Sequence, residues 1–217
     1  MENVENYLSE IKEIKKIMTE SNRFMSLSGL SGILVGIYAL LGSLAAYKVV
    51  YYPSSMFRKV FVDQAFDSLF LIAGIVLAMS LLTGFWLTWR RTKKQGKTIW
   101  NTTTRLMLIN ASIPLIIGGL FILIFALRGI YLIAASSCLI FYGLALVSAS
   151  KYSRKELFYM GLIEITLGLL AAIFPGIGLI FWAIGFGVLH IIYGSVMYFR
   201  YETSSKSGEL RNEHGNF

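Results

Sequence analysis

Two ionisable side chains stand inside otherwise apolar sequence, Glu164 and His190. An ionisable group at membrane depth is costly, and it marks a function or a partnership. Glu164 lies about seven residues into its apolar run, about 10 Å deep at 1.5 Å per residue. His190 lies about nine residues from the far end of the next run, about 13 Å deep by the same rise. Two antiparallel neighbouring helices would bring both to one depth. Such a pair can hold a proton near neutral pH, as a relay or pH sensor requires. It can equally form a buried hydrogen bond that locks two helices. The lock is the plainer reading, because a relay needs a chain of polar groups. Asn110, Tyr142, Thr166 and Tyr193 are the residues that could extend one.

Other constellations carry less. Asp63 and Asp67, four apart, form an acidic pair that is expected to meet Arg58 or Lys59. Two carboxylates alone make a poor cation site. The two histidines, His190 and His214, cannot pair as axial ligands of a membrane haem, because His214 falls in the polar tail. No HExxH, P-loop or Gly-x-Ser-x-Gly pattern occurs. No metal, cofactor or enzymatic activity is expected. The single cysteine, Cys138, reads as a small packing residue.

The elements that must position these groups are six apolar runs at 27–47, 66–89, 106–126, 130–150, 157–174 and 178–199. A helix needs about 20 mainly apolar residues to cross a bilayer. Hydrophobic residues make up 56% of the 217, and charged residues only 15%. A soluble domain carries roughly 25% charged residues. A β-barrel would alternate in segments of about 10 residues, whereas these runs are continuous. The expected fold is therefore an all-α integral membrane protein with six transmembrane helices in a domain over 26–200. It is preceded by an amphipathic helix over 1–25 and followed by a disordered tail over 201–217.

The net charge of +8 is placed at the ends of the runs. That is the pattern of topology signals and lipid contact, so nucleic acid is not an expected partner. Arg90, Arg91, Lys93, Lys94, Lys97 and Arg105 share one acid-free stretch between the second and third runs. The positive-inside bias puts that stretch in the cytoplasm, and with it both termini of a plasma (inner) membrane protein. Arg128 falls on the other side, where its head reaches the headgroups. Near the N-terminus, Val4, Tyr7, Ile11, Ile14, Met18 and Met25 recur at alternating three and four, with Ser21 in the one missing apolar place. This is the stripe of an amphipathic helix. It fits the inner membrane surface, a second copy or partner protein, or this chain's own loops.

Glycines recur at related places in alternate runs. The outgoing runs carry Gly29, Gly32 and Gly36, then Gly118 and Gly119, then Gly161 and Gly168. The returning runs carry Thr83-Gly84, Tyr142-Gly143, and Tyr193-Gly194 after Gly185 and Gly187. Small residues let membrane helices approach closely. Gly32, Gly36, Gly161, Gly168, Gly185 and Gly194 are thus expected at helix contacts, and the pattern implies three similar hairpins.

The last hairpin, Gly161 through Gly168 to Pro175-Gly176 and on to Gly185, Gly187 and Tyr193-Gly194, resembles the repeat of the HdeD-like membrane proteins. The resemblance covers the last hairpin. The first two lack the proline at the turn, and Pro114 falls inside its helix instead. It implies a six-span bacterial protein of three helical hairpins linked with acid stress. The expected function is that of a non-enzymatic membrane protein acting through contacts with lipids, with another copy or with a membrane-protein partner. The alternative is a small channel or transporter with Glu164 and His190 lining its path.

Overall fold

The computed structural model describes residue 11 and residues 28–51, 65–94 and 100–203. The N-terminal stripe, apart from Ile11, lies outside these residues. So do Asp63, Arg58, Lys59, Lys97 and the tail from 204. All elements among the described residues are helical. They are α1 (Gly29–Tyr51), α2 (Ala65–Lys94), α3 (Thr102–Leu127), α4 (Ala134–Ser150) and α5 (Lys155–Ile173). A 3-10 turn, Pro175–Ile177, then leads into a last helical run over 178–203. That run begins as α6 (Gly178–Trp182), widens into a π-helical stretch at Ala183–Leu189, and resumes as α7 (His190–Met197). A second wide stretch, Tyr198–Thr203, follows.

Among the described residues, five helices are long and apolar enough to cross a bilayer, of 21, 27, 26, 19 and 26 residues. Helix α4, at 17 residues, is shorter. The apolar run read at 130–150 loses its first residues to a turn. Gly129 adopts φ +77°, which glycine takes without strain, and the chain turns again before Ala134. Elsewhere helices outrun their apolar stretches. Helix α2 continues through Arg90, Arg91, Lys93 and Lys94, since a helix end can remain helical in water. Helix α3 starts at Thr102, where the Asn101 side chain accepts from the Thr104 amide at 2.8 Å. Such a cap is worth about 1 kcal/mol. Pro114 lies within α3 and has no N–H to offer the carbonyl one turn back.

The solvent follows from exposure. Leu81, Leu82, Phe85 and Ile116 are each at least 60% exposed. Apolar surface on that scale is untenable in water and ordinary in lipid. Within the bundle, α1 and α5 are inner helices, with 39% and 33% of their apolar windows buried, against 6% for α2 and α3.

Antiparallel contacts join α1 to α2, α3 to α4, α4 to α5, and the last run to α1. The two most intimate crossings are built on glycine. In α4 and α5, a Cβ on Gly143 would lie 2.6 Å from the Gly161 carbonyl oxygen, and one on Gly161 would lie 2.7 Å from that of Gly143. In α1 and the last run, a Cβ on Gly36 would lie 2.6 Å from the Gly187 oxygen, and one on Gly194 would lie 2.6 Å from the Gly29 oxygen. Both crossings therefore join different expected hairpins: returning α4 meets outgoing α5 across the short turn at 151–154, and the last run meets the first helix, α1. Helices α2 and α3 are not packed along their lengths, and the ring of helices is open between them. There Phe70 of α2 meets Tyr131 of the α3–α4 turn edge to face, with ring centroids 6.2 Å apart.

A methyl group at a backbone crossing forces the helices apart. Gly143→Ala should therefore cost about 1–3 kcal/mol, the usual range for overpacking. Gly84 has nothing within 4 Å of its Cβ position. Gly84→Ala should be neutral or stabilise by up to about 1 kcal/mol through helix propensity. Thermal unfolding in one detergent compares the two. Equal midpoints would show that the α4–α5 crossing is not made by glycine.

Candidate functional site

Glu164 is carried by α5 and His190 by the start of α7, directly after the π-helical stretch. Both are buried, Glu164 to 0% exposure. Their closest approach is 3.7 Å, from His190 Nδ1 to Glu164 Oε1. That is ion-pair distance but too long for a hydrogen bond.

The hydrogen bonds of His190 go elsewhere. Nδ1 lies 3.0 Å from the Gly185 carbonyl oxygen, and Nε2 lies 2.7 Å from the Tyr142 hydroxyl. A carbonyl can only accept, so Nδ1 carries a hydrogen and donates it. In the neutral ring Nε2 is then the acceptor, and Tyr142 donates to it. Gly185 lies five residues before His190, and the wider turn of the π-helical stretch brings its carbonyl to the ring. Tyr142 comes from α4, so one imidazole ties α4 to the last run through two bonds. The ring also stacks with Tyr142, centroids 5.4 Å apart, and with Phe186 at 5.9 Å. Trp182 extends the aromatic column, 5.1 Å from Phe186.

Glu164 stands beside this lock rather than in it. Neither carboxyl oxygen has a hydrogen-bond partner among the described residues. Gly185 makes room for it, because a Cβ there would fall 2.5 Å from Glu164 Oε2 and 2.5 Å from Leu139 Cδ2. A bare charge here is expensive. Two arrangements avoid one: a carboxylic acid beside a neutral imidazole, or a carboxylate beside an imidazolium. They differ by one proton, which leaves the carboxyl and ends on His190 Nε2, since Nδ1 already carries a hydrogen. In the second, Nε2 becomes a donor and the Tyr142 oxygen turns from donor to acceptor.

The other polar residues separate. Tyr142 joins the pair directly, and Tyr193 is half-buried one turn further along α7. Asn110 instead donates to the Leu106 carbonyl at 2.8 Å and reaches the Tyr152 hydroxyl at 3.4 Å. Thr166 is exposed and bonds back to Leu162 within α5. Asp67 lies in the first turn of α2. Among the described residues, no three His, Cys, Asp or Glu side chains gather as metal ligands would. The glycines Gly32, Gly36, Gly161, Gly168 and Gly194 are at helix contacts, and Gly185 makes the recess for the carboxyl. Phe186 and Trp182 were not singled out by sequence. Their signal is the spacing of Trp182, Phe186 and His190, four apart on one face.

Clefts open among the described residues. One of about 330 Å³ lies among α1, α2, the α3–α4 turn and α6, and another of about 360 Å³ runs between α1 and α6. Neither is lined by Glu164 or His190.

No family model matches the chain, and no curated protein or solved structure gives a significant match.

The two partners should respond oppositely to apolar replacement. His190→Leu strands the Tyr142 hydroxyl and the Gly185 carbonyl and should cost about 1–3 kcal/mol. Glu164→Leu removes a buried carboxyl that makes no hydrogen bond, and should leave the thermal midpoint unchanged or raised. A Glu164→Leu protein as damaged as His190→Leu would show that the carboxyl itself holds the helices together.

Proposed function

We propose that this chain is a non-enzymatic, six-span membrane protein that acts through the surfaces it presents to lipid and to membrane partners. The single observation that carries this reading is the closed setting of Glu164. It is fully buried, Gly185 and Leu139 lie close by, and both clefts are lined by other residues. A conduit needs a polar passage that reaches such a group. The Glu164–His190 neighbourhood is in this reading a joint between helices.

The orientation goes with it. The stretch from Arg90 to Arg105 faces the cytoplasm, and both termini lie on that side of the plasma membrane. Supporting this, Trp86, Trp89 and Trp100 are all about half exposed or more at the basic end. Arg90 lies over the Trp86 ring at 5.8 Å, and the Lys93 ammonium lies over Trp89 at 5.5 Å. Aromatic rings beside basic side chains are the usual furniture of a membrane–water boundary. Helix α4 then crosses despite its 17 residues, with the exposed Lys151 just beyond its end at the boundary. A role in envelope or acid stress is proposed on the likeness of the last hairpin to HdeD-like proteins.

Reconstituted vesicles test the reading. Wild-type protein should dissipate an imposed pH gradient no faster than protein-free vesicles, and Glu164→Gln should behave the same. A flux that wild type supports and Glu164→Gln abolishes would overturn it in favour of a channel or transporter. A reporter active only in the cytoplasm, fused to the C-terminus, should be active.

A further inference from the structure

The cleft of about 330 Å³ lies at the end of the bundle opposite the basic one. Its walls place it there. Gly42 and Ala46 come from the end of α1, Ala73 from the start of α2, and Ile122 from the last turns of α3. Ala135 opens α4, and Trp182 closes α6. All these helix ends point the same way, away from Lys93, Lys94 and Arg105. The volume is in the range of small-molecule sites, roughly 300–1,000 Å³.

Two features decide what fits. Among the described residues, no charged side chain lines the cleft, and the wall is almost wholly aliphatic and aromatic. A ligand with a polar group inside would be desolvated without recompense. The cleft also sits at the seam where α2 and α3 fail to pack, so its side opening leads to the strongly exposed apolar faces of those helices. The occupant therefore arrives laterally from hydrocarbon, not from water. Small residues (Gly42, Ala46, Ala73 and Ala135) leave a slot rather than a chamber. Beyond it, Arg128 is exposed six residues past Ile122, about 9 Å further along at 1.5 Å per residue. A phosphate at that height would find a cation.

We propose that this cleft is a binding site for one acyl chain of a membrane phospholipid, which enters between α2 and α3 and leaves its headgroup at the level of Arg128. A phospholipid is favoured over a free fatty acid because its glycerol bridge spans part of the distance of about 9 Å between the slot and Arg128, which a carboxylate on the chain itself does not. Filling the slot replaces a void by dispersion contacts and closes the ring of helices at its open joint.

Trp182 is the built-in reporter. Replacing Trp86, Trp89 and Trp100 by Phe leaves it as the chain's sole tryptophan. In maltoside micelles, phosphatidylcholine brominated at mid-chain is titrated in. Quenching of Trp182 should saturate near one lipid per chain. Ala73→Phe and Ala135→Phe fill the slot from opposite walls, and either should abolish the saturable component. A protein keeping only Trp89, at the basic end of α2, should show no saturable component. Brominated stearic acid should quench Trp182 without saturating. Linear quenching of Trp182 in the protein with an open slot overturns the proposal, whatever the filled variants do. Saturation that survives both fillings places the lipid elsewhere and overturns it too, as does saturation by the fatty acid alone.

Discussion

Everything in this bundle depends on how closely two backbones can approach. Lipid offers no hydrophobic reward for joining two apolar helices, so contact must come from packing and from the few polar groups available. The chain meets that constraint at two places. Gly143 and Gly161 bring α4 and α5 to carbonyl contact, and Gly29, Gly32 and Gly36 do the same for α1 with Gly187 and Gly194. These crossings fix the order of helices around the ring. Where glycine meets nothing, as at Gly74, Gly84 and Gly119, no comparable joint forms, and those helices border the open side.

The polar neighbourhood is built on that frame. Once α4 and α5 cross at Gly143 and Gly161, Tyr142 is directed at the last run, and Glu164 lies one turn beyond the crossing. His190 then has a donor above it and a carbonyl below it, and its ring fills the remaining space with aromatic contacts. The carboxyl is the odd member. Its neighbours leave it room but no hydrogen bond, and a group so placed adds little to cohesion.

Much of this was legible in the residues. The apolar runs marked the helices, because lipid requires long uninterrupted stretches. Their edges were not marked as well, since Arg90 to Lys94 remain helical in water and Gly129 bends the chain inside an apolar run. Equal depth put Glu164 beside His190, which simple rise per residue predicts. The partner of His190 was half hidden. Tyr142 is a visible polar residue on a facing helix, but the Gly185 carbonyl reaches the ring only through a wide turn, and no residue type announces one. The glycines were recognised as contact residues. Which helix each would meet depended on the ring order, and spacing along one chain does not encode that. Asn110 and Thr166 were polar residues at suitable heights that face away, satisfied by their own helices.

The π-helical stretch has a consequence for register. Each residue in a helix advances the direction of its side chain by about 100°. The last run must serve two clients that lie around it at different bearings. Gly185 and His190 face α4 and α5, whereas Gly187 and Gly194 face α1. A uniform α-helix would carry a fixed angle between those two faces. The one extra residue per turn at Ala183–Leu189 resets that angle, much as a spacer corrects the timing between two gears. Length in this segment is therefore as constrained as composition. Removing a residue from it would turn Gly194 away from Gly29.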